Sequence, residues 1–70
     1  MMPLAMVGVG ETGCIRKITG RDEVRQHLAE LGFVVDSDVT VVNEAAGNLI
    51  LQVKDSRIAL DRTMANRVMI

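Results

Sequence analysis

The sequence predicts a mainly β fold: a small, strongly curved antiparallel barrel with one inserted α-helix over about residues 22–31 and a short helical turn near 62–66. Three observations point there. Val, Ile and Leu dominate an apolar fraction of 49%, and Phe33 is the lone aromatic; β-branched aliphatic side chains suit a pleated, half-buried surface. The apolar residues come in short runs separated by Gly, Asn, Asp and Ser, the rhythm of strands and tight turns. Only one stretch has a sustained helical period, so the helical crossovers of a parallel sheet are missing. Closing antiparallel strands into a barrel protects their edges.

The elements follow in order. The uncharged opening Met1–Gly10 reads as a first strand entering the core; it is too short to span a bilayer and lacks the basic flank of a secretory signal. Gly13–Ile18 reads as one strand, ended by Thr19-Gly20. Val24, Leu28 and Leu31 fall at i, i+4 and i+7, one face of a helix from Asp22 to Leu31. Thr19 with Asp22 can form a capping box, or Asp22 is itself the N-cap. Gly32 stands where a C′ glycine ends a helix. Asp36-Ser37-Asp38 is a polar turn before the strand Val39–Asn43. Ala46-Gly47-Asn48 turns the chain into Leu49–Lys54, whose Leu49, Leu51 and Val53 share one face. Asp55-Ser56 is the next turn, and Arg57–Leu60 the next strand, with Ile58 and Leu60 inward. Asp61 caps a single helical turn, Arg62 to Asn66, and Val68–Ile70 forms a short last strand. No linker, repeat or low-complexity tract divides the chain, so residues 1–70 read as a single domain.

Composition narrows the function. Eight basic and nine acidic residues are interspersed, for a formal charge of −1. Neutralising phosphates needs a basic surface, so nucleic acid is not the expected ligand; a polybasic membrane anchor is absent and no direct membrane insertion is expected. Cys14 is the only cysteine and His27 the only histidine. An internal disulfide is therefore excluded, a lone thiol fits a reducing, cytoplasmic setting, and the usual Cys/His zinc site cannot be built. A domain this small is marginally stable, with weak homo-oligomerisation or a partner as available supports.

The residues Gly10-Glu11-Thr12-Gly13 followed by Ile15-Arg16-Lys17-Ile18 resemble the GExGxIxxI opening of the FeoA family. Arg25-Gln26-His27-Leu28-Ala29-Glu30-Leu31-Gly32-Phe33 resembles that family's RxxLxxLG-aromatic segment. Val39–Val42 resembles its next strand, and Arg57–Asp61 with Ala65 its closing segment. No single motif is specific; their order and spacing across residues 8 to 70 are. The resemblance implies a small cytoplasmic SH3-like barrel, an accessory protein of ferrous iron transport. It implies docking to the cytoplasmic GTP-binding region of the FeoB-type membrane transporter. A related implication is a free-standing regulatory module for an iron-dependent transcriptional repressor. Two departures stand out. Val35-Asp36 replaces a Pro-Gly pair common in the family, and Asp tolerates the left-handed backbone that such a turn needs. Ala45–Asn48 replaces a longer hairpin loop.

The residues present no catalytic constellation, so no enzyme, no cofactor and no metal ligand set is expected. His27 lies on the helix four residues after Glu23 with no other partner in view. Cys14 has no evident base to activate it and reads as a small core residue. Asp36, Asp38, Glu44, Asp55 and Asp61 mark turns and strand ends; Asp36-Ser37-Asp38 lacks the Gly and the distal Glu of a calcium loop. Gly8, Gly10 and Gly13 fit G-x-G-x-x-G, but a strand follows where a phosphate site needs a helix. What is left is surface. The expected protein-binding patch centres on the inserted helix and its exit, with Arg25, Leu28, Leu31 and Gly32 as candidates and Glu30 as a rim charge.

Overall fold

The structure, a computed structural model, describes residues 1–70. Six strands run β1 (Thr12–Cys14), β2 (Lys17–Ile18), β3 (Asp38–Ala45), β4 (Asn48–Val53), β5 (Ser56–Asp61) and β6 (Val68–Met69), with helices α1 (Asp22–Glu30) and α2 (Arg62–Ala65). All strand pairs are antiparallel, as expected. They form a four-stranded sheet, β1-β3-β4-β5, and a two-stranded sheet, β2-β6. Full closure into one ladder is not reached: β5 keeps a free edge.

The core follows from period-2 alternation. Val39 and Val41 on β3 lie opposite Val53 and Leu51 on β4, and Ile58 and Leu60 on β5 lie opposite Leu51 and Leu49. All but Ile58, which is half-buried, are enclosed, and they pack with Leu4, Ile15, Leu28, Phe33, Ala65 and Val68. The β3–β4 register shifts between Val41 and Asn43, a bulge at Val42. Beyond it β3 leaves the core and its outer end, Asn43–Ala45, is exposed.

Three sequence expectations are corrected. The N-terminal run is not a strand. Pro3 makes a single bridge to Met69, and Leu4–Met6 is a 3-10 turn. Pro3 has no N–H for a ladder, and of this run only Leu4 is fully buried, while Met6 and Val9 face solvent. The predicted strand Gly13–Ile18 is two strands. The Ile15 N–H donates to Ser37 O at 2.9 Å and the Arg16 N–H to Met69 O at 2.7 Å, so the chain changes sheets there. The turn placed at Asp55-Ser56 lies one residue earlier, because Val53 pairs with Ser56 and leaves Lys54 and Asp55 between them.

The helix matches the expected span to within a residue, but its start differs. The N-cap is Arg21, without a side-chain cap. Thr19 is drawn instead to the last strand: its N–H donates to Arg67 O at 2.7 Å and its hydroxyl donates to the same oxygen at 3.2 Å. The helix end is as expected. Gly32 has φ +107; its N–H donates to Ala29 O at 3.0 Å and the Phe33 N–H to Leu28 O at 2.9 Å. This is a Schellman motif, and its accompanying apolar contact joins Leu28 and Phe33. Asp36 adopts φ +75, as its sequence position demands.

The chain ends meet. Met2 and Ile70 exchange two backbone hydrogen bonds, 3.0 and 2.8 Å, which extends the seam formed by Pro3 and Met69.

Two local features carry predictions. Ala46 and Gly47 are the two residues between the paired Ala45 and Asn48, with φ +52 and +81, a type I′ turn. Alanine is costly in that conformation and asparagine is favoured. Ala46→Asn is expected to stabilise the protein by about 0.5–1 kcal/mol, read as a higher urea midpoint at unchanged slope. Asp61 Oδ1 accepts the Met64 N–H at 2.8 Å, the cap expected of it. Asp61→Ala is expected to cost about 1 kcal/mol in thermal melts; Asp61→Asn, which keeps an acceptor, should cost little.

Candidate protein-docking groove

The helix is fixed to the β core by one fully enclosed side chain, Leu28, with Val24 and Leu31 half-buried beside it. The Schellman turn then reverses the chain so that Phe33 points inward while Val34 and Val35 run along the surface. An open groove of about 410 Å³ results, bounded by α1, by the Arg16–Ile18 segment and by Phe33–Val35. Ile18, Ala29, Val34 and Val35 supply the apolar wall over the enclosed Phe33; Arg16, Lys17 and Arg25 supply the rim. Val35 is 52% exposed, although it neighbours a core residue on the chain.

The rim is electrostatically one-sided. Arg25 pairs with Asp22 on the same helix, an exposed pair of little energetic weight. The other ion pair of the protein joins Arg62 to Glu44, where Arg62 also donates to Ala5 O at 3.2 Å. Arg16 and Lys17 engage neither a carboxylate nor another hydrogen-bond acceptor through their side chains. In a chain of net charge −1, the residues lining this groove thus include three cations and no carboxylate.

Of the four residues picked from sequence, Arg25 lines this groove. Leu28 lies beneath it with no exposed surface, so it shapes the site without touching a ligand. Leu31 and Gly32 are half-buried at the helix end and outside the groove lining. Sequence reading missed Arg16, Lys17, Ile18, Ala29, Val34 and Val35. The available signal was a pair of adjacent cations beside a glycine-flanked strand, and two valines after Phe33 with no alternation to bury both.

Other candidates stay apart. His27 is exposed in the last turn of α1, and Cys14 is half-buried with its Sγ 3.9 Å from Ile15 O. No three His, Cys, Asp or Glu side chains converge in a way that could hold a metal ion. No helix is long and apolar enough to cross a membrane.

Comparison with known proteins agrees with this architecture. The family model for the FeoA domain matches residues 2–70. A Methanocaldococcus jannaschii protein named for Fe(2+) transport, transport protein A, is 31% identical over 70 residues, all of this chain and 85% of its own. The crystal structure of an iron uptake regulatory protein, FeoA, superposes with a TM-score of 0.87 at 31% identity, covering 96% of this chain and 89% of that one. Stenotrophomonas maltophilia FeoA complexed with zinc, described as an SH3 domain protein, gives 0.86 at 27% identity over 99% and 88% of the two chains. A manganese-dependent transcriptional repressor shares the fold, with a TM-score of 0.85 at 20% identity over 94% of this chain and 38% of its own. The order of strands, the inserted helix with its glycine exit and the match over residues 2–70 together place this SH3-like chain in the FeoA domain family, which is associated with ferrous iron transport.

Proposed function

We propose that this protein is a cytoplasmic accessory factor of ferrous iron uptake. It binds the cytoplasmic GTP-binding region of a FeoB-type transporter and modulates transport, and it catalyses no reaction of its own. Family membership across nearly the whole chain carries this reading. The groove supports it by offering a docking surface of apolar wall and charged rim, the anatomy of a protein interface. Co-purification with the transporter's cytoplasmic region, with and without guanine nucleotide, tests the proposal. Retention in either nucleotide state is the expected result; no binding to that region or to the full-length transporter overturns it.

A second reading has its own support. The manganese-dependent repressor contains this same fold as a minor part of a longer chain, so the domain also suits attachment to a regulator. Pull-down against the cognate metal-dependent repressor separates the two: capture of the repressor and not the transporter favours the second.

A further inference from the structure

We infer that the groove between α1 and β2 receives an acidic, aliphatic peptide segment of the partner. This deepens the docking reading and rests on it for the partner's identity, while the chemistry is argued from the groove alone. Two of the three rim cations, Arg16 and Lys17, form no ion pair, and the third shares its guanidinium with an exposed carboxylate that a competing acid can displace. Such a rim attracts carboxylates and repels basic segments. The wall beneath is aliphatic, and Val35 stands exposed within it. An anchor of the Ile, Leu or Val type buries that surface.

Other ligands fit less well. Single-stranded nucleic acid needs aromatic faces for stacking, and the one aromatic, Phe33, is wholly enclosed. An anionic bilayer calls for a polybasic surface, and this chain has a formal net charge of −1. A small anion would leave the apolar wall uncovered.

The test uses overlapping synthetic peptides from the transporter's cytoplasmic region, titrated into the isotope-labelled protein. The acidic, aliphatic members are expected to shift the amides of Arg16, Lys17, Ile18, Val34 and Val35, with affinity falling as salt rises. The double variant Arg16→Glu/Lys17→Glu should weaken that binding by at least about tenfold while keeping a native amide spectrum, and Arg57→Glu, outside the groove, should leave it unchanged. Equal binding of basic peptides, shifts confined to another face, or equal response to single-stranded DNA or anionic vesicles would overturn the inference. The outcomes also part from those of the docking reading. Full-region capture that survives the double variant sinks the groove and spares the adaptor; groove-specific binding by acidic peptides alongside failed capture of the whole region does the reverse.

Discussion

Phe33→Ala is expected to remove a third or more of the domain's stability, roughly 3–5 kcal/mol. Phe33 is the largest enclosed side chain and the only aromatic one. Truncating such a residue costs about 3–5 kcal/mol. Scaling typical stability per residue to this length gives a total of only about 3.5–10 kcal/mol. The loss is concentrated because Phe33 serves three structures at once: the core, the Schellman turn that ends the helix, and the support beneath the groove. Amide hydrogen exchange measures it directly, with protection collapsing throughout β3 and β4 rather than in α1 alone. Protection that survives in the sheets would mean that the helix docks as an independent unit. Phe33→Leu, which keeps an aliphatic filling, should remain folded and allow the groove to be assayed.

Gly13→Ala is the second large effect, and its origin is different. A Cβ at position 13 would overlap the Ile70 Cγ2 methyl and come within 3.4–3.5 Å of Ile70 Cβ and Cγ1. Ile70 cannot simply swing aside, because its backbone is held to Met2 by two hydrogen bonds, and its branched side chain is stiff at χ1. Overpacking of this kind costs about 1–3 kcal/mol. The double variant Gly13→Ala/Ile70→Ala should therefore be more stable than the sum of the single changes requires, a coupling read from denaturant midpoints. Strict additivity would show that the glycine is needed for some reason other than this contact.

The strands, the helix and most turns were readable because each rests on neighbours in the chain. Leu49, Leu51 and Val53 alternate and are buried as the alternation demands. Val24, Leu28 and Leu31 repeat at helical spacing, and Gly32 ends the helix. The misreadings share one cause, a distant partner. Thr19 looks like a helix cap until Arg67 competes for it. Gly13–Ile18 looks continuous until Ser37 and Met69 take successive hydrogen bonds from Ile15 and Arg16. The opening apolar run looks like a strand until Pro3 limits it to one bridge. The groove was legible only in Arg25. Its remaining wall and rim come from segments far apart in sequence, and no local pattern announces that Arg16 and Val35 share a cleft.

The pairing of residues 2–18 with residues 68–70 sets the order in which these segments can fold. Lys17 and Ile18 find their ladder partners on Met69 and Val68, and Leu4 enters a core that also needs Val68. During synthesis the β3–β4–β5 meander can pair as it emerges, but the second sheet and the groove beside it wait until Val68 and Met69 are available to pair. Bringing together segments so far apart is slow compared with closing a hairpin. A nascent chain stalled before Val68 would therefore display a sheet with an uncovered apolar face, a substrate for chaperones rather than for any binding partner.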